Sequence, residues 1–139
     1  MTDVQSSAVE AAVRETAERF PGVLVAYLFG STVTGRTGPL SDVDVAVLVS
    51  GAARRQGVHE AYEDALCRAL GSVRLDLVCL NKAPSPLAYR VIRDGRLVFC
   101  RDPRAREAFE VATVMRYLDF QPVRNAAFQA GRRRILETA

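Results

Sequence analysis

Apolar positions along this chain recur with two different periods, and the changes between them mark out the elements. Val9, Val13, Ala17 and Phe20 follow Ser7-x-x-Glu10 at helical spacing until Phe20-Pro21-Gly22 stops the segment. A capping-box pattern ahead of such a stripe predicts an amphipathic first helix. Val23 to Phe29 is continuously apolar, as a central strand covered on both faces should be. From Asp42 the period drops to two: Val43, Val45, Val47 and Val49 alternate with Asp42, Asp44, Ala46 and Leu48, which predicts a second strand with two distinct faces. Ser50 to Gly57 reads as a loop, and Tyr62, Leu66, Ala69 and Leu70 mark a helix that ends at Gly71.

Val73 to Leu80 predicts a third strand, interrupted by Asp76 with Arg74 on the same face. A charge in an apolar strand is costly without a partner. It therefore reads either as an ion pair with Arg74 or as part of a site. Ser85-Pro86 opens another helix, with Leu87, Val91 and Ile92 facing inward, which Gly95 closes. Arg96 to Arg101 is a short strand suited to a sheet edge. Asp102-Pro103 starts a helix whose expected inner stripe is Ala108, Ala112, Met115 and Leu118. After Tyr117-Leu-Asp-Phe-Gln-Pro122 a last helix reaches Glu137, with Val123, Ala127, Ala130 and Ile135 apolar and Arg132, Arg133 and Arg134 clustered.

With 139 residues, 49% hydrophobic and 25% charged, the chain reads as one domain with a real core. No internal repeat or low-complexity segment divides it. No apolar run approaches the ~20 residues of a membrane span, and the N-terminus lacks the pattern of an export signal. Cys67, Cys79 and Cys100 lack metal-ligand spacing and read as buried thiols of a reducing cytoplasm. His59, the single histidine, reads as a solvated side chain, and zinc is not expected. The net charge of +3 comes from scattered arginines, a weak basis for nucleic-acid binding.

The chemistry-bearing stretch is Gly30 to Asp44, GSTVTGRTGPLSDVD. Asp42 and Asp44, two apart on a strand, project to one side. At roughly 5 Å their charges would repel by about 3 kcal/mol at an effective dielectric near 20. A hard divalent cation such as Mg²⁺ offsets that cost and takes phosphate oxygens as its other ligands. Gly30 and Ser31 can present backbone N–H groups and a hydroxyl to a phosphate. The run Gly30-x4-Gly35-Arg36-Thr37 approaches a phosphate-binding P-loop, but Gly38-Pro39-Leu40-Ser41 forbids the helix that such a loop must enter.

Gly30-Ser31, ten intervening residues, then Asp42-x-Asp44, each half attached to a strand, resembles the signature of the nucleotidyltransferase superfamily to which DNA polymerase β belongs. Phe29 to Val49 is most similar to its minimal nucleotidyltransferase (MNT) branch. The resemblance implies an α+β (α/β) nucleotidyltransferase fold with a central mixed β-sheet flanked by helices. It implies that Asp42, Asp44 and Asp76 are catalytic and hold two Mg²⁺ ions, with Asp76 on a strand beside the Asp42/Asp44 strand. Gly30, Ser31, Arg36 and Ser41 would bind the nucleotide.

The likeness extends through GPLSDVDVAVLV, LDLVCLN and YLDFQP, and is closest to the MntA-type antitoxins of HEPN/MNT toxin–antitoxin pairs. On that resemblance the substrate is ATP, and AMP passes to a tyrosine of a HEPN-domain RNase toxin encoded by an adjacent gene. The C-terminal helices, about 103–137, would pack on the domain or on that partner. Thr32 and Thr34 stand where many members carry arginine, so Arg36 would have to supply that charge. Two other functions fit the same residues: an antitoxin that acts by binding alone, and a nucleotidyltransferase of aminoglycoside type.

Overall fold

A computed structural model describes residues 3–30 and 42–119. The elements in chain order are α1 (Asp3–Glu18), β1 (Val23–Phe29), β2 (Val43–Val49), α2 (Gly51–Arg55), α3 (Val58–Leu70), β3 (Leu75–Cys79), a 3-10 turn (Leu80–Lys82), α4 (Ser85–Asp94) and β4 (Arg96–Cys100). A fifth helix, α5, covers 103–119. The strands form one mixed sheet in the order β3-β2-β1-β4. β1 is antiparallel to both of its neighbours, while β2 and β3 run parallel. No helix among the described residues is long and apolar enough to cross a membrane.

Alternation along β1 and β2 divides the core into two layers. Val43, Val45, Val47 and Val49 point to one face, where they meet Val9, Val13 and Ala17 of α1 and Tyr62 and Leu66 of α3. Ala46 and Leu48 point to the other, against Val25 and Tyr27 of β1 and Ala88 and Val91 of α4, with Phe109 of α5 at its margin. Tyr62 is buried yet satisfied, since its hydroxyl donates to the Val13 carbonyl at 3.0 Å. Asn81 of the 3-10 turn extends the sheet by side chain: its Nδ2 donates to the Val49 carbonyl at 2.7 Å, and its Oδ1 accepts from the Val49 N–H at 2.9 Å.

Several expectations are corrected. Ser50 does not begin a loop but caps α2, accepting from the Ala53 N–H at 3.2 Å, as serine does at helix starts. α1 extends upstream of the Ser7 capping box to Asp3. Cys67 is exposed rather than buried, because it falls on the outer side of α3. The His59 side chain is only 12% exposed, packed at the start of α3 instead of solvated.

The largest correction concerns α5. Ala108, Ala112, Met115 and Leu118 lie exposed, while Thr113 is buried and Arg106, Phe109 and Glu110 are half-buried. The helix turns a partly polar side to the sheet because the Tyr27 hydroxyl, buried in β1, donates to Glu110 Oε1 at 2.8 Å. Burial and that hydrogen bond raise the Tyr27 pKa well above the usual tyrosine value. A buried hydroxyl needs such an acceptor more than the sheet needs a further methionine.

Three of the arginines serve the fold. Arg101 donates from Nε to the Val23 carbonyl at 3.1 Å and from its terminal nitrogen to the Ala17 carbonyl at 2.9 Å. It thereby ties the end of α1 to the start of β1. Arg14 donates to the Val98 carbonyl at 3.3 Å, and Arg96 pairs with Glu10 at 2.8 Å.

Candidate active site

β1 carries the first part of the site. Its last residues, Leu28 and Phe29, pair with Val45 and Asp44 of β2, and the chain then turns at Gly30 with φ +65°. That conformation is open to glycine and strained for other residues. A second constraint is steric: a Cβ on Gly30 would lie 2.6 Å from Asp44 Oδ2. Only a residue without a side chain lets the corner approach this carboxylate so closely.

β2 and β3 carry the acids. In their parallel register Asp44 stands level with Asp76, and Val43 with Leu75. Neighbouring strands lie roughly 4.8 Å apart, and residues level with one another share a face. Asp44 and Asp76 therefore flank each other on the side that Ala46 and Tyr27 also face, at the end of the sheet where Gly30 turns. Asp44 is half-buried and Asp76 exposed. Asp42, two residues before Asp44, lies beyond the first paired residue of β2, with Arg74 Nε at 3.7 Å from its Oδ1. Of the two readings of Asp76, the ion pair with Arg74 does not form: Arg74 engages Asp42, beside which it is brought by the Val43 N–H bonded to the Arg74 carbonyl at 2.8 Å.

Of the sequence-derived site residues, the structure thus brings Gly30, Asp44 and Asp76 together, with Asp42 alongside and engaged by Arg74. Ser31, Arg36 and Ser41 lie outside the described residues, as does the closing segment 120–137. Among the described residues no three His, Cys, Asp or Glu side chains converge into a metal-holding group. The donor set Asp44 and Asp76 nevertheless suits a hard divalent cation, which takes one or two protein carboxylates and fills its shell with phosphate and water oxygens. The bare backbone at Gly30, where a Cβ would press on Asp44 Oδ2, is consistent with a corner that comes close to a phosphate ligand held beside that carboxylate.

Sequence reasoning missed two contributors: Asn81, which pins the far end of β2, and the Tyr27–Glu110 bond, which seats α5. A tyrosine in the middle of the apolar run VLVAYLF was the available signal for the second.

Residues 12–104 match the family model of Polymerase beta, Nucleotidyltransferase, and the chain belongs to that family. Its structural neighbours include chains of toxin–antitoxin complexes. One is a toxin–antitoxin with AMP-PNP, 27% identical over 86% of this chain and 95% of that one, with TM-score 0.69. Another is a tri-AMPylated Shewanella oneidensis HEPN toxin in complex with MNT antitoxin, at 25% identity, 89% and 96% coverage and TM-score 0.63. No curated protein matches the chain. The nucleotidyltransferase fold and the likeness to MNT antitoxins of HEPN toxin–antitoxin pairs thus agree with the reading of the residues.

Proposed function

We propose that this protein is the antitoxin of a HEPN/MNT pair and an adenylyltransferase, moving AMP from ATP to a tyrosine hydroxyl of a HEPN-domain toxin encoded beside it. The observation that carries the reading is the pair Asp44 and Asp76, level on one sheet face beside a corner that only glycine can form. Two carboxylates at that spacing repel unless a cation or a proton lies between them.

Asp42, Asp44 and Asp76 would hold Mg²⁺, and Gly30, Ser31, Arg36 and Ser41 the triphosphate. Bound there, the metal would supply charge neutralisation for the phosphates. The chain's own part is positioning and proton transfer. Gly30 lets the phosphates come close to Asp44. Asp76, the exposed member of the pair, accepts the proton of the tyrosine hydroxyl as its oxygen attacks the α-phosphorus. The bond from that phosphorus to the bridging oxygen breaks, and pyrophosphate leaves. The similarity to an antitoxin bound to a tri-AMPylated toxin and to a structure containing AMP-PNP supports ATP as donor and a protein as acceptor.

Co-expression with the adjacent open reading frame, followed by intact-mass measurement of that product, tests the proposal. A gain of AMP units is expected, and an unmodified mass with an active Asp44-bearing chain would overturn it. A second reading, neutralisation by binding alone, is favoured by the engagement of Asp42 with Arg74. It requires that an Asp44→Asn chain protect cells from the toxin as well as the unaltered one does.

A further inference from the structure

Three observations settle which side of α5 meets the rest of the molecule. Glu110 accepts from the Tyr27 hydroxyl at 2.8 Å, Thr113 is 1% exposed, and the Tyr117 ring stacks on that of Tyr89 in α4, with centroids 3.9 Å apart. These positions are three and four residues apart, so they share one side of the helix, and the opposite side points away from the sheet. That outer side is the apolar one. Val111, Met115 and Leu118 are 59%, 59% and 53% exposed, more than any other large hydrophobic side chain among the described residues, and exposed Ala108 lies in the same row.

The spacing of the row says what kind of surface covers it. Arg104, Ala108, Val111, Met115 and Leu118 follow at intervals of four, three, four and three, the repeat of a narrow seam that packs against another helix. Both ends of the seam are charged. Arg104 stands at its start, and Asp119 directly follows Leu118 at its finish. Each is exposed, and neither has an ion-pair partner among the described residues.

We infer that the outer side of α5 docks a second copy of this chain, antiparallel, about a two-fold axis beside Val111. Turned end for end, the seam fits itself. Val111 meets Val111 of the second copy, and small Ala108 lies opposite its long Met115. Arg104 lies opposite Leu118 of the second copy with Asp119 beside it, and the same pairs recur across the axis. Large side chains thus face small ones along a shallow helix crossing, and an ion pair closes each end. A parallel copy would instead set Arg104 on Arg104 and Asp119 on Asp119, like charge against like. A two-fold contact of this kind closes on itself and stops at two chains. A single helix pair falls short of the roughly 1,200 Å² of a stable interface, so the dimer is weak and depends on concentration. The inference involves no nucleotide and stands or falls apart from the adenylyltransferase reading.

Sedimentation velocity of the full chain by itself, from about 10 µM to about 1 mM, is the test. The average mass is expected to climb from 15.2 kDa toward twice that value. Arg104→Asp and Asp119→Arg, each of which turns two attractive contacts into repulsive ones, should each weaken association about ten-fold. Combining them re-creates both pairs with the signs exchanged and should restore it. Both positions are exposed, and an acid at position 104 suits the first turn of a helix, so the variants should fold.

A chain that stays monomeric throughout overturns the inference. So does a dimer indifferent to the swaps, or one that the double variant fails to rescue. In the monomeric case Met115→Asp names the true occupant of the seam. Weakened binding of the toxin would assign it to the toxin, and a lowered unfolding midpoint of the isolated chain would assign it to the chain's own residues 120–139.

Discussion

The two faces of the sheet are built to opposite specifications. Against α1 and α3 the sheet presents valines at or near zero exposure, closed by Tyr62 and Leu66. Against α4 and α5 it presents small Ala46, a tyrosine bonded to a glutamate, and then, toward the Gly30 end, two carboxylates level with each other. A single strand, β2, contributes to both by alternation: Val43 and Val45 anchor the dry face and so fix the direction of Asp44 on the other. The apolar core and the acidic pair are thus assigned to opposite sides of one strand, and each can be perturbed separately.

The sharpest way to break this comparison is on the dry side. Leu66→Ala should cost about 2–5 kcal/mol in urea unfolding, the range for deleting a fully buried leucine, while the surviving folded fraction retains nucleotide binding. On the chemical side, Asp44→Asn should lower transfer of label from α-labelled ATP to the toxin by about 100-fold or more, an effect on the scale of removing one preorganised charge. Its unfolding midpoint should move little, because Asp44 lies at the half-exposed margin of the core. Intact transfer by this variant would dissolve the division of labour.

A smaller effect is expected where the wet face is tied to its helix. Tyr27→Phe removes the bond to Glu110 and should cost about 1 kcal/mol, with Arg106 still 3.7 Å from the same carboxylate oxygen. This pair also predicts an alkaline limit. Tyr27 and Tyr62 both have pKa values raised above the ordinary 10, through burial first and, for Tyr27, through Glu110 second. Above pH 10 the unfolded chain loses these protons while the folded chain keeps them. Stability is therefore fully present below pH 10 and falls as pH rises beyond it. Chemical denaturation between pH 8 and 11 should show the decline, and Tyr62→Phe should flatten it. Least of all is expected from Arg74→Ala, whose ion pair with Asp42 is largely exposed; it should shift stability by under about 0.5 kcal/mol.

Much of this architecture was legible before any coordinates. The period-2 run from Asp42 to Val49 put both aspartates on one side, and the apolar run before Gly30 identified the central strand. Those patterns are local, because a strand that buries one face must write that choice into every second residue. The inner side of α5 was not legible in the same way. That helix has apolar residues on two sides, and the choice between them is made by a hydroxyl in β1, 83 residues away from Glu110. Arginine partners were equally opaque, since carbonyls at the ends of α1 and β1 leave no mark in composition.

By itself, then, the order of residues determined which segments extend, which coil, and that Gly30 must be a corner. It did so because hydrophobic alternation and backbone sterics act between neighbours. Only the folded arrangement decided that Asp76 would stand level with Asp44, that Arg74 would engage Asp42, and that Tyr89 would meet Tyr117. Those outcomes depend on the register of β3 against β2 and the seating of α4 and α5, which are set by contacts between residues far apart in the chain.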